Sequence, residues 1–461
     1  MDHAVPVPVP VPEAVTTSVG TPPQLATGVP WPTPIRAWWT VAGLVVAAFL
    51  SLMDRLVLNL LVDPIRADLH ISESQFGLVQ GASFAVVSSL LAVPLGLAAD
   101  RVNRSRLLIA SITVWSVATA LGGLAVSYPE FLAARILVGL GEAALWPVAV
   151  SMIADILPSY WRGRAIGLLI LAQIFGSGAS LQVGGWLLRL SSAGMFADTP
   201  LLNSLPGWRI VLVCCGGFGA IGVALLLSVR EPVRRGSAAA ASESGGLRSF
   251  LDHVSRHRAL FALIYFGALL VAISGSASGA WAPSVYIRHF HLTPAEVGPR
   301  LGLIAIGSGI LGASLGGWVS DRLARQRRPD RKLGIAAFAL LACLPGGALV
   351  WAPTPNFAMA LQSLSLVFGP LGSMVTIITL QDFVPARSRG LAMSILTLFT
   401  TTLGFSIGPS LVAATTQFVF GDDRMVGYAL QAITAPALIC GCACFLFARG
   451  EARAYLAEHT S

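Results

Sequence analysis

Two short polar patterns each occur twice in this 461-residue chain, at nearly the same separation and always between long apolar runs. Gly96-Leu-Ala-Ala-Asp100-Arg101-Val-Asn-Arg104 returns 221 positions later as Gly317-Trp-Val-Ser-Asp321-Arg322-Leu-Ala-Arg325. Asp155-Ile-Leu-Pro158-Ser-Tyr-Trp-Arg162-Gly163-Arg-Ala165 returns 227 positions later as Asp382-Phe-Val-Pro385-Ala-Arg-Ser-Arg389-Gly390-Leu-Ala392. One echo could be chance, but two in register mark an internal duplication. A chain built from two similar membrane-embedded halves has the organisation of a transporter.

Hydrophobic residues make up 55% of the chain and charged residues only 11%, where a soluble domain carries about a quarter charged residues. Apolar stretches near the ~20 residues needed to cross a bilayer fall at 37–62, 76–99, 107–126, 130–154, 165–188 and 208–229. A second set falls at 259–285, 298–320, 333–351, 357–380, 390–416 and 425–448. The expected fold is all-α and integral to the membrane, with twelve helices in two pseudo-symmetric halves, 36–229 and 259–448. Residues 1–35 form a proline-rich segment without the basic and apolar regions of a signal peptide, and read as a disordered cytoplasmic tail. Residues 230–258 read as a cytoplasmic linker and 449–461 as a C-terminal cytoplasmic tail.

The net charge of +8 follows the loops rather than a nucleic-acid footprint. Arginines crowd alternate loops, at Arg101, Arg104 and Arg106, at Arg230, Arg234 and Arg235, and at Arg322, Arg325, Arg327 and Arg328. The opposite loops carry single arginines such as Arg66, Arg189 and Arg288. This positive-inside bias sets both termini in the cytoplasm of a cell whose inner (plasma) membrane holds the protein, with anionic lipid as its partner and no nucleic acid. In the linker, Leu247, Phe250, Leu251 and Val254 recur at helical spacing, which suits a short amphipathic helix on the inner leaflet.

The Gly-x-x-x-Asp-Arg-x-x-Arg loop pattern, together with Arg135-x-x-x-Gly139-x-Gly141-Glu142 in the fourth span, resembles the hallmark of the major facilitator superfamily. Within it, Asp54-Arg55, Ile71-Ser-Glu-Ser-Gln75-Phe-Gly77, Trp115-Ser116, Glu142-Ala143 with Pro147, Gly207-Trp208-Arg209, Val229-Arg-Glu231-Pro232 and Trp281-Ala-Pro283 resemble the spinster-like proteins. The resemblance implies alternating access, with spans 1 and 4 beside a central cavity and cargo that is an amphiphile in animal members. Anion:cation symporters of the same superfamily share the Asp-Arg and Gly-Glu-Ala elements, so a small organic anion is the alternative cargo. The fifth span departs from the superfamily's antiporter pattern: it has Gly167, Gly176, Gly184 and Gly185, but Ser180-Leu181 where the central Gly-Pro would stand. The complete Gly404-x-x-x-Gly408-Pro409 sits in the eleventh span.

A charge at the bilayer centre costs about 2.5–3.5 kcal/mol on insertion scales, so Asp54, Arg55, Arg135 and Glu142 each need a reason to be there. Arg135, Gly139 and Glu142 share one helical face. A carboxylate in low dielectric is driven towards its neutral form and a neighbouring arginine drives it back, so a pair that separates and re-forms can carry protons. Asp54 is the first choice for the protonated group and Glu142 the second, with Arg55 and Arg135 as switching partners or substrate contacts. A permanent salt bridge is the plain alternative. The loop residues Gly96, Asp100, Arg101, Arg104, Asp155 and Arg162, with Gly317, Asp321, Arg322, Arg325, Asp382 and Arg389, are the expected gating set, joined when the cytoplasmic side closes.

The second half has no charge in the middle of its spans. It offers Ser274, Ser276, Ser278 and Trp281 in a seventh span that Gly275, Gly279 and Pro283 should bend or break, with Gln362, Thr397 and Thr400 beyond. One charged wall and one neutral wall suit an amphiphile. No cofactor is expected: the seven histidines lie in loops or at span ends, no phosphate-binding loop exists, and the six cysteines lie within spans without metal-ligand company. An intramembrane enzyme is thereby disfavoured, a transport-free sensor would need a signalling domain, and a monomer is expected.

Overall fold

A computed structural model of the chain describes residues 31–460 except 100, 201, 236–244, 326–328 and 386–387. The described residues are helical, with no strand. Twelve helices cross the membrane in two halves of six. In the first half these are α1 (Pro34–Leu60), α2 (Glu73–Gln80, then Ala82–Ala99), α3 (Arg104–Leu124), α4 (Tyr128–Ile156), α5 (Ser159–Ser192) and α6 (Gly207–Leu227). In the second they are α7 (Arg258–Arg288), α8 (Pro294–Arg325), α9 (Pro329–Cys343), α10 (Pro355–Phe383), α11 (Arg389–Phe420) and α12 (Val426–Thr460). Eleven of these are by themselves long and apolar enough to cross a bilayer. The other, α9, is extended by 3₁₀ turns at Leu344–Gly347, which contains Pro345, and at Leu349–Trp351.

Helices overrun the apolar stretches because polar residues continue the hydrogen-bond ladder beyond the hydrocarbon. α12 thus runs on through 449–460, where a tail was expected, and Arg453 Nε meets Asp330 Oδ2 at 3.3 Å. The proline-rich segment before residue 31 lies outside the described residues. The linker helix forms at Gly245–Arg256. It docks on the second half rather than resting on lipid alone: Phe250 is buried in that half's core, Leu251 is exposed, and His253 Nε2 lies 2.8 Å from the Phe383 carbonyl.

Even-numbered halves put both termini on one face of the membrane, here called the terminal face. Three apolar cores form. One spans both halves at the far face, joining Val57, Leu61, Phe76 and Trp208 to Val285, Val297, Leu349 and Val412. The other two each belong to a single half on the terminal side, around Trp115 and Met152 and around Phe261 and Phe445. The halves are therefore welded at the far face and separate at the terminal face.

Close backbone contact makes the weld. Gly178 and Gly185 of α5 face Gly302 and Gly298 of α8, while Gly176 and Gly184 face Phe49 and Val57 of α1. The glycines of α5 thus serve two neighbours, since only a missing Cβ admits backbones so close. Ionic contacts reinforce this edge. Arg288 of α7 donates to Asp63 (Nε to Oδ1, 2.8 Å) and to the buried Glu73, and Arg66 joins Glu73 and Asp423, each at 2.9 Å. On the terminal side Gly163 and Gly390 meet nothing within 4 Å.

The glycine and proline residues of α7 do not break it; the helix is continuous from Arg258 to Arg288. Pro283 has no N–H for the Gly279 carbonyl, and Asn59 Nδ2 of α1 donates to that carbonyl instead, at 2.9 Å. The irregular points lie elsewhere: at Gly81 in α2, after Glu142 in α4, and in a π-helical stretch, Leu398–Gly404, in α11.

Gly302→Val places a side chain against the Gly178 carbonyl and should lower the melting temperature of the purified protein, by an overpacking cost of about 1–3 kcal/mol. Gly307→Val, on the open side of the same helix, should leave it unchanged.

Candidate functional site

Asp54 lies deep in α1 and is 3% exposed. Its Oδ2 accepts from the Thr119 hydroxyl of α3 at 2.5 Å, and its Oδ1 has no hydrogen-bond partner. Arg135, also buried, and Glu142 reach towards it from one face of α4. Gly139 lets α2 come in at Phe84, and Gly141 lets α3 come in at Ser111 and Trp115. The helix breaks at once after Glu142, before resuming at Leu145.

The four membrane charges lie within electrostatic reach of one another: Arg135 is near both Asp54 and Glu142, and Arg55 is near Glu142. None of them closes to an ion pair among the described residues, and Arg135 Nε and Glu142 Oε1 are buried without hydrogen-bond partners. Spacing along one helix could not reveal this, because neighbours 54 and 55 point in different directions. Breaking a buried pair outright costs about 3–5 kcal/mol. Four charges held in mutual reach, none locked, can exchange partners for less.

Arg55 turns towards the interface. Its guanidinium carbon lies 4.0 Å from the Phe84 ring centroid and 4.9 Å from that of Phe405, so one ring comes from each half. Arg55 lines a cavity of about 240 Å³ with Asn59, Gln80, Ser278, Gln362 and Phe405. Gln80 Nε2 donates to Asn59 Oδ1 at 2.9 Å, closing the cavity towards the far face.

A larger cavity of about 490 Å³ opens into the second half, among α7, α9, α10, α11 and α12. Ser274, Ser278, Gln362 and Thr397 line it; Trp281 lines neither cavity. The Trp281 indole is fully buried and donates to the Pro409 carbonyl at 3.0 Å, holding α7 against α11. Gly404 and Gly408 pack on Ala272 and Ile273 at the same seam. Most wall hydroxyls are already committed: Thr376 to Gly372, Thr397 to Met393, Thr400 to Leu396, Ser365 to Cys343 and Thr434 to Leu430 carbonyls. The wall presents methyl and methylene groups between these committed hydroxyls and those of Ser274, Ser278, Ser373 and Thr401.

The loop motifs are placed within each half. Arg104 is buried and pairs with Asp155 (2.5 Å) and Glu231 (2.9 Å), and Glu231 also accepts from the Ser105 N–H. Arg234 donates to the Ala99 and Val102 carbonyls, so the segment after α6 straps the ends of α2 and α3. In the second half Lys332 meets Asp382 at 2.6 Å, as Arg104 meets Asp155 in the first. Extra residues in the α8–α9 loop shift the register after Arg322, which a motif read from its glycine misses. Arg162 and Arg389 each cap carbonyls of their own half, at Ala154 and Leu157 and at Gln381 and Val384. Arg101, Asp321 and Arg322 are exposed, Gly96 packs near Pro147 and Gly317 near Met374. Asp100 and the Arg325 side chain lie outside the described residues. No His, Cys, Asp or Glu cluster suited to a metal ion occurs among the described residues.

A protein described as an MFS-type efflux pump of Mycolicibacterium smegmatis is 26% identical over 92% of this chain and 95% of its own length. Protein spinster of Drosophila melanogaster is 28% identical over 83% of this chain, which spans only 62% of that longer relative. Among solved structures, a bacterial homologue of the human lysosomal transporter spinster, inward-facing and unoccupied, superposes with a TM-score of 0.73 at 23% identity, covering 91% of this chain and 96% of that one. A sequence profile described as Major Facilitator Superfamily matches residues 44–409. With its two six-helix halves, the cavity between them and the paired loop motifs, the chain belongs to the major facilitator superfamily of membrane transporters and is similar to its spinster-like members.

Proposed function

We propose that the protein is a proton-coupled secondary transporter of an amphipathic, lipid-like anion, working by alternating access across the inner membrane with its terminal face in the cytoplasm. The observation that carries this reading is the unlocked charge quartet of Asp54, Arg55, Arg135 and Glu142 beside the cavity. Withdrawing one arginine from this balanced set towards an anionic cargo leaves a carboxylate uncompensated in low dielectric, and a proton is the group that neutralises it. When Glu142 is neutral, Arg55 is free to offer its charge to an anionic head in the cavity. When Glu142 is charged, it competes for the same guanidinium. Head group and proton thus act on one arginine from opposite sides.

The second half supports the tail. Its cavity is neutral and most of its hydroxyls are spent on helix carbonyls, which favours alkyl chain over a second charged end. The arginine-rich loops at the terminal face support the orientation. The residues that part at that face include the motif loops, which would meet when the cavity turns outward.

Asp54→Asn is expected to abolish pH-gradient-driven transport in proteoliposomes while leaving cargo binding or exchange measurable. Unchanged gradient-driven uptake in that variant excludes Asp54 as the coupling acid. Competition by n-alkyl phosphates of rising chain length tests the cargo class. Each buried methylene contributes about 0.8 kcal/mol, roughly a fourfold gain, until the cavity is filled. Flat affinity with strong inhibition by short dicarboxylates indicates a small organic anion instead.

A further inference from the structure

Several threonines in the spans turn their hydroxyls back on their own helix. Thr376, Thr379, Thr400 and Thr434 each donate to the carbonyl four residues earlier, the usual outlet for a helical hydroxyl. Thr119 of α3 does not. It is 2% exposed, and it donates across to Asp54 Oδ2 of α1 at 2.5 Å. Packing fixes the turn that carries it: Gly216 of α6 lies against Ser116 and Ala120, one before and one after Thr119 in the chain. The titratable groups within electrostatic reach of Asp54 are Arg135 and Glu142 on α4 and Cys215 on α6, with Arg55 next to it in the chain. Asp54 Oδ1 has no hydrogen-bond partner, so Thr119 gives this carboxyl its only hydrogen bond among the described residues.

We propose that Thr119 is a positioning residue for proton coupling: by donating to Asp54 Oδ2 it sets the pH at which that carboxyl gives up its proton. The inference rests on the coupling role of Asp54 put forward above and adds the group that tunes it. A hydrogen bond given to a carboxylate is stronger than one given to the neutral acid, so it favours the charged form. Arg135 favours that form too, but its guanidinium is shared with Glu142 and withdraws when the quartet rearranges. The hydroxyl on α3 is neutral, competes for no other charge and stays in place. Without it, a buried Asp54 would hold its proton to higher pH, and the cycle would stall at the step that requires release.

The test is an infrared pH titration of the full chain in nanodiscs, without cargo, following the C=O stretch of protonated carboxyl groups. The Asp54 component is the one lost in Asp54→Asn. In Thr119→Val, which removes the hydroxyl at nearly constant shape, the midpoint of that component is expected to rise by about one to two pH units, the worth of one hydrogen bond to a charged group. Thr119→Ala should behave in the same way. Thr119→Ser restores a hydroxyl at the same place and should return the midpoint to that of the parent. Thr113→Val removes a hydroxyl that bonds its own helix, also in α3, and should leave the midpoint where it was. An unchanged midpoint without the Thr119 hydroxyl, or a rise that persists in Thr119→Ser or appears equally in Thr113→Val, overturns the role of Thr119 and leaves the coupling reading standing. A parent chain with no titrating Asp54 component overturns the coupling reading and this inference together.

Discussion

Ionised groups in the membrane interior are the constraint from which the rest of this molecule follows. Hydrocarbon offers them no solvation, so every charge must be met by protein. The protein meets this demand in two ways. At the rims the charges are locked: Arg104 between Asp155 and Glu231, Lys332 on Asp382, Arg288 on Asp63 and Glu73. At mid-depth in the first half they are gathered but left unlocked. The locked sets fasten helix ends within each half and, through Arg288, one half to the other, and the unlocked set reaches the cavity through Arg55.

Rigidity and movement are divided accordingly. The far face is joined by apolar packing, glycine-to-glycine contact and ions that cross between halves. The terminal face has a separate core in each half. An alternating motion must therefore undo the far-face contacts and create new ones at the motif loops, while both terminal-side cores persist. The Asn59 link to the Gly279 carbonyl shows how the two demands meet. A proline frees the acceptor, and a side chain from the opposite half occupies it with the far face shut.

Much of the architecture was legible because hydropathy reports solvent directly. The span count, the duplication, the absence of charge in the second half and the four candidate charges all came from composition and spacing. That Arg135 lies near both Asp54 and Glu142, while Arg55 turns towards Phe84 and Phe405, was not legible, because it depends on how α1 and α4 rotate against each other. Nor was Lys332 as the partner of Asp382, since loop residues before it break the motif's register. Trp281 read as a cavity aromatic and is instead a helix clamp, a distinction set by which way one face of α7 turns. Glycines and Pro283 in α7 suggested a broken helix; the structure keeps it whole because Asn59 supplies the missing donor.

The central claim is that protonation of the mid-depth carboxylates biases the two halves between their arrangements. It is tested most directly by spin labels at Gly163→Cys and Gly390→Cys, positions with open space on opposite halves of the terminal face. With the native cysteines replaced, the distance distribution in nanodiscs is measured across pH by double electron–electron resonance. The expected result is two distance populations whose ratio changes with pH in the otherwise wild-type chain and no longer does so when Asp54→Asn and Glu142→Gln are combined. A ratio insensitive to pH in the parent, or an undiminished pH response in the doubly neutral variant, would contradict the claim.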